Sequence, residues 1–178
     1  MSARAVFLDR DGVLNAALER DGRPYPPASV AELEILPGVG GALADLKNAG
    51  FLLVVVTNQP DVARGTTTRA AVEAIHAALR AALPLDAISS CFHDDGDRCA
   101  CRKPAPGLLL DAARARDVDL SRSFMVGDRW RDTEAGAAAG CRTVFVDHGW
   151  REKRPERYDA KVSSLAEAAA WILSGGAQ

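Results

Sequence analysis

The chain alternates short apolar runs with longer stretches in which apolar residues recur every three or four positions. Ala5 to Leu8 and Phe51 to Val56 are uninterrupted apolar runs, and Ala87 to Ser90, Ser123 to Val126 and Thr143 to Val146 are further segments of strand length. An unbroken apolar run fits a strand covered on both faces. Between these runs, Val39, Leu43 and Leu46 follow Pro37-Gly38 at helical spacing, with Gly50 placed as a stop. Val72, Ile75, Leu79 and Leu83 predict a helix over Thr68 to Leu83, and Pro106 to Arg116, Asp132 to Ala139 and Leu165 to Leu173 complete the helical set. The repeated β-then-α order predicts an α/β fold, a Rossmann-like three-layer sandwich around a mostly parallel central sheet. Gly12 to Pro27 holds too many glycines and prolines for a helix or a central strand, and is expected to be an ordered loop beside the site. The Gly175-Gly176 tail is expected to fray.

Length and charge narrow the picture. The 178 residues suit a single domain, 1–178, and are too few for two comfortable ones. A formal net charge of −2 without long runs of one sign argues against a nucleic-acid surface or a polybasic membrane patch, which leaves a small molecule as the expected partner. The longest apolar run falls far short of the roughly 20 residues that cross a bilayer, and no signal-peptide core precedes the first charges, so the expectation is a cytoplasmic protein. A monomer is expected as well, since the pattern leaves no apolar helix face obviously unpartnered.

Two clusters carry chemistry. Cys91, His93, Cys99 and Cys101 fall within eleven residues, and a Cys₃His set at such spacing satisfies tetrahedral Zn²⁺; a disulfide is the alternative, weakened by the absence of an export signal. Arg102 and Lys103 follow the cluster directly. The second group sits at strand ends, where ligands bind in open α/β sheets: Asp9 and Asp11 after the first run, Thr57 and Asn58 after the second, and Asp128 after Val126-Gly127. Two carboxylates two residues apart require a cation such as Mg²⁺ between them, or leave one as a proton donor. Asp9 suits a nucleophile toward phosphorus and Asp11 a general acid and base, with Thr57, Asn58 and Lys103 placed to hold phosphoryl oxygens, Asp128 in the metal's oxygen shell and Asp132 supporting it.

The string Asp9-Arg10-Asp11-Gly12, then Thr57-Asn58-Gln59, then Lys103-Pro104, then Gly127-Asp128 with Asp132 resembles the haloacid dehalogenase-like phosphatase superfamily, in the right order and over nearly the whole chain. Joined to Cys-x-His and Cys-x-Cys-Arg-Lys-Pro, it is similar to the branch of heptose bisphosphate phosphatases and histidinol-phosphate phosphatases. The resemblance implies a Mg²⁺-dependent phosphomonoester hydrolase with Asp9 as nucleophile, Asp11 as acid and base, and Asp9, Asp11 and Asp128 on the metal. An Asp rather than Thr at position 11 sets it apart from the ATPases of the superfamily. Only 47 residues separate Asp9 from Thr57, which leaves no room for a large cap domain. The zinc loop would then be the lid, with Arg102 on a second phosphate or sugar group and Arg129 at a position often basic in the heptose enzymes. The run Thr57-Asn58-Gln59 through Ala63-Arg64-Gly65 is similar to the heptose branch and implies contacts from Gln59 and Arg64. It points to the 7-phosphate of D-glycero-D-manno-heptose 1,7-bisphosphate. The short zinc loop is more like that of the histidinol branch, and Pro60-Asp61 departs from the Ser-Gly expected of the heptose enzymes, so the histidinol branch stays open.

Each motif also has a plainer reading. Asp-x-Asp after a strand can be only a turn, Thr57-Asn58 and Asp128 can be only caps, and a zinc-stabilised domain could bind a phosphorylated ligand without turnover. His76 and His148 read as structural or exposed, Cys141 as a small buried residue and Trp130 as packing.

Overall fold

The computed structural model describes residues 2–175; the expected fraying at Gly176 lies outside the described residues. β1 (Arg4–Leu8) is followed by a hairpin of β2 (Leu18–Arg20) and β3 (Arg23–Tyr25), then by α1 (Val39–Asn48), β4 (Phe51–Asn58), α2 (Arg69–Ala82), β5 (Ala87–Cys91), α3 (Gly107–Arg116), β6 (Phe124–Gly127), α4 (Trp130–Ala139), β7 (Arg142–Val146), β8 (Ala160–Val162) and α5 (Leu165–Leu173). Six strands form one sheet in the order β5-β4-β1-β6-β7-β8, and every neighbouring pair in it is parallel.

Alternation along the buried strands divides the core in two. Val6 and Leu8 of β1, with Leu53 and Val55 of β4, face Leu43 and Leu46 of α1, Ile75 and Leu79 of α2, and Leu165 and Ile172 of α5. Ala5 and Phe7, with Val54 and Val56, face Leu109 and Ala112 of α3 and Ala135 and Ala139 of α4. These are the three layers the sequence predicts. β1 is the central strand, so Asp9 emerges at the middle of the sheet's carboxyl edge, between the ends of β4 and β6.

Two elements go beyond the sequence pattern. The segment expected to be a loop contains the antiparallel β2–β3 hairpin, with Leu18 opposite Tyr25 and Arg20 opposite Arg23. Its turn residues Asp21 and Gly22 both have positive φ, 53° and 77°, the pattern of a two-residue type I′ turn favoured by Asp-Gly. Pro24 is tolerated because this two-stranded ribbon is all edge. β8, three residues long and only partly buried, offers too little pattern to be seen in advance. Elsewhere the differences are at boundaries: β4 runs on to Asn58, and α4 starts at Trp130, two residues before Asp132. No helix among the described residues is long and apolar enough to cross a membrane.

Candidate active site

The carboxyl edge of the sheet opens into a cavity of about 330 Å³. Its floor carries Asp9, Asp128 and Asp132, each with one carboxylate oxygen within 4.8 Å of the others. Asp9 is held by its own N–H, which donates to Val126 O at 2.9 Å. The fully buried Lys103 ammonium enters between them, donating to Asp9 Oδ1 at 2.9 Å, to Asp132 Oδ1 at 2.6 Å and to Val56 O at 2.7 Å. Asp132 Oδ2 accepts from the Arg129 N–H at 3.0 Å, so both its oxygens are engaged. Asp128 Oδ2 accepts from Trp150 Nε1 at 2.7 Å, whereas its Oδ1 is buried with no hydrogen-bond partner.

Such crowding has an electrostatic consequence. Burial, then the nearby Asp132 charge, pushes Asp9 up to about 6. Burial, then Asp9 and Asp132, raises Asp128 well above the ordinary carboxylate range. Burial opposes the charge on Lys103, but Asp132 and Asp9 more than compensate and hold it above the usual lysine range. Three buried carboxylates thus cluster with a single ammonium that pairs with two of them, and the third, Asp128, keeps one buried oxygen without a partner. A hard divalent cation with oxygen ligands fits this donor set. The backbone makes room for it: at Gly12, with φ +82°, a Cβ would fall 2.1 Å from Asp128 Oδ2, and at Gly127 a Cβ would fall 2.1 Å from Asp132 Cβ.

Asp11 stands apart from this trio. Its carboxylate lines the cavity and is gripped by Arg10 through Nε and Nη2, by Asn15 Nδ2 at 3.0 Å and by Gln59 Nε2 at 3.0 Å. Gln59 Nε2 also donates to Thr57 Oγ1 at 2.9 Å. Asn58 turns toward Lys103 instead: Nδ2 donates to Lys103 O at 2.9 Å, and Lys103 N donates to Asn58 Oδ1 at 3.0 Å. Asn58 therefore fixes the backbone from which Lys103 reaches inward.

The loop expected to be the lid starts at the end of β5. Cys91, His93, Cys99 and Cys101 converge, with sulfur separations of 3.6, 3.1 and 3.4 Å and His93 Nδ1 3.5 and 3.3 Å from Cys91 and Cys101. Those separations are far too long for a disulfide, near 2.05 Å, and close to the roughly 3.8 Å edge of a Zn–thiolate tetrahedron. Four soft donors with no other purpose at that spot fit Zn²⁺. Arg102, beyond the cage, donates from Nε to Asp95 Oδ1 at 2.8 Å, and Arg131 approaches the same oxygen at 3.3 Å. Arg64 pairs with Asp94, at 2.9 and 2.6 Å, and Arg129 with Glu152. All four arginines line the cavity.

Of the residues singled out in the sequence, Asp9, Asp11, Asn58, Arg64, Arg102, Lys103, Asp128 and Arg129 line the cavity, Thr57 and Gln59 are buried beneath it, and the Cys/His cluster lies apart; Asp132 rather than the Asp11 carboxylate completes the acidic trio. Sequence reasoning overlooked Arg23 and Tyr25 on the hairpin, Arg131 on α4, Trp150, and the Arg10–His76 pair. Asp21-Gly22 was the available signal for the hairpin; nothing local marks Trp150. His148 is exposed, yet its Nε2 lies 2.7 Å from Gly12 O and its ring packs on Trp150. Cys141 is buried, and burial raises its thiol to about 12, in keeping with a packing role. Trp130 is half-buried, with Lys153 4.1 Å and Arg131 4.7 Å from its ring centre.

A parallel sheet with this carboxylate trio, a buried lysine and a second aspartate two residues after the first defines a haloacid dehalogenase-like phosphatase, and the HAD-hydrolase-like family profile matches residues 100–168. The D-glycero-beta-D-manno-heptose-1,7-bisphosphate 7-phosphatase of Bordetella bronchiseptica is 42% identical over 151 residues, 82% of each chain. That of Escherichia coli K12 is 35% identical over 97% of this chain and 90% of its own. The crystal structure of the B. bronchiseptica D,D-heptose 1,7-bisphosphate phosphatase complexed with magnesium and phosphate superposes with a TM-score of 0.81 at 38% identity, covering 97% of this chain and 99% of that one. The chain belongs to the heptose bisphosphate phosphatase family of the haloacid dehalogenase-like phosphatases. It is a phosphatase.

Proposed function

We propose that this enzyme removes the 7-phosphate of D-glycero-β-D-manno-heptose 1,7-bisphosphate through an aspartyl-phosphate on Asp9. The observation that carries the chemistry is the buried trio with its bare Asp128 Oδ1; the substrate follows the relatives' activity. Asp9 and Asp128 would hold Mg²⁺, as their free oxygens allow, with Asp132 occupied by Lys103 and the Arg129 N–H. The Asp11 carboxylate faces the cavity, so any share Asp11 takes in the metal falls to its carbonyl. When bound, Mg²⁺ supplies the positive charge that lets an anionic nucleophile approach an anionic phosphoryl group.

Asp9 attacks phosphorus as the bond to the sugar oxygen breaks, and protonated Asp11 gives its proton to that leaving oxygen. Asp11, now a carboxylate, takes a proton from water, which attacks the acyl phosphate and frees inorganic phosphate and Asp9. Lys103, the Thr57 hydroxyl and Asn58 steady the charge on the transferring group. Arg102, Arg64 and Arg129 are the groups for the rest of the substrate, exchanging carboxylate partners for its second phosphate, while Gln59, buried and donating to Asp11 and Thr57, acts through those residues. Cys91, His93, Cys99 and Cys101 would hold Zn²⁺ and keep the lid in shape. The chain would act as one domain and a monomer in the cytoplasm, where unbridged thiols persist.

Phosphate release with Mg²⁺ tests this on the α and β anomers of the bisphosphate and on histidinol phosphate. Preference for the β anomer is expected, and preference for histidinol phosphate overturns the substrate. Asp9→Asn is expected to abolish turnover with the fold intact; turnover retained by a deamidation-free sample excludes Asp9 as nucleophile.

A further inference from the structure

Behind Asp11 lies a buried chain of contacts that the mechanism above does not use. Arg10 is wholly buried, and its guanidinium spends Nε and Nη2 on the two Asp11 oxygens at 3.0 to 3.2 Å. Its remaining nitrogen, Nη1, lies 3.1 Å from Nε2 of His76, which is 1% exposed on α2. Because a guanidinium only donates, His76 Nε2 must accept, so its proton sits on Nδ1, which faces Glu73 Oε2 at 3.7 Å. Burial, and then the Arg10 charge, brings His76 down to about 4, so the ring is neutral at working pH and able to accept.

We infer that His76 is a positioning residue for hydrolysis: by anchoring the far side of Arg10, it holds the Asp11 carboxylate in the orientation that proton transfer to and from the substrate requires. The geometry argues for more than packing. α2 presents Val72, Ile75 and Leu79 to the core, and a leucine at position 76 would extend that apolar face. A histidine there instead gives a buried cation its missing acceptor, directly behind the acid and base. Without it Nη1 would be buried unsatisfied, and the guanidinium would shift to seek another partner, taking Asp11 with it.

The inference rests on Asp11 being the acid and base. It is tested with the full chain, Mg²⁺ and the heptose bisphosphate, measuring kcat, KM and the unfolding midpoint for His76→Leu, His76→Gln and Asp11→Asn. Gln offers an acceptor oxygen at similar reach, and Leu offers none. His76→Leu is expected to lose about tenfold to a hundredfold in kcat with KM within about twofold of the parent, and His76→Gln to recover most of that loss. A parental kcat in His76→Leu while Asp11→Asn is inactive overturns the inference alone. Turnover retained by Asp11→Asn overturns the underlying role of Asp11. Should His76→Leu fail to fold, His76→Gln decides: a tenfold fall in its kcat at an unchanged unfolding midpoint overturns the inference, because the acceptor is still present.

Discussion

Gly12 and Asp128, far apart in sequence, occupy nearly the same space, and only the absence of a side chain at position 12 lets them do so. What Gly12 admits is a carboxylate that the metal-free fold disfavours, since burial and two like charges oppose its ionisation. Asp128→Asn should therefore leave the metal-free protein as stable as the parent or more stable by about 1 kcal/mol, while abolishing turnover and the Mg²⁺-dependent rise in unfolding temperature. Thermal melts with and without Mg²⁺ check this, and a large loss of metal-free stability would contradict it. At this scale the sequence was informative where chemistry coincides with a strand end, as at Asp9, Thr57 and Asp128. It was silent on Arg10 and His76, 66 positions apart, because a histidine beside Ile75 on an amphipathic helix reads as part of the packed face.

The Cys/His loop and the hairpin both contribute to the cavity lining, and they were unequally legible. The loop announces itself through four ligands in eleven residues, whereas the hairpin is marked only by Asp-Gly in a stretch dominated by Gly and Pro. Lys103 has two supports, the cage behind it and the paired hydrogen bonds to Asn58, but Arg102 depends on the loop alone. Stripping Zn²⁺, or replacing Cys99 by Ser, should thus raise KM roughly tenfold, about 1.4 kcal/mol of substrate binding, with a smaller fall in kcat. Elemental analysis should find one zinc per chain, and amide exchange should quicken over residues 91–102 on chelation. A fall in kcat with KM unchanged would show instead that the cage acts on Lys103.

Across the whole molecule the parallel sheet and its layers were legible because strands covered on both faces are apolar throughout, while β8, short and half-covered, was not. Several buried groups couple this assembly to pH, and His76 is the one whose share a single substitution isolates. His76 titrates near 4 in the fold and at about 6.5 in the unfolded chain, so the unfolded chain takes up the proton first as pH falls. Its contribution is complete above pH 6.5 and is lost progressively toward pH 4, the loss reaching about 3 kcal/mol at the lower end. Denaturant unfolding at a series of pH values should show this slope in the parent and a shallower one in His76→Gln; equal slopes would assign the acid sensitivity to other groups.

The loop after β7 reaches back to the first turn of the chain: His148 meets Gly12 O across 136 positions, Trp150 meets Asp128, and the Arg151 N–H donates to Gly22 O at 2.8 Å. The strand that leads into Asp9 also waits for β4 and β6, both made after it. β1 leaves the ribosome well before β6 and the loop after β7, so much of the growing polypeptide exists without an assembled site. The assembled site arrives as one late event in synthesis, and a transcript cut short before the codons for these residues yields protein that carries Asp9 without the groups that surround it.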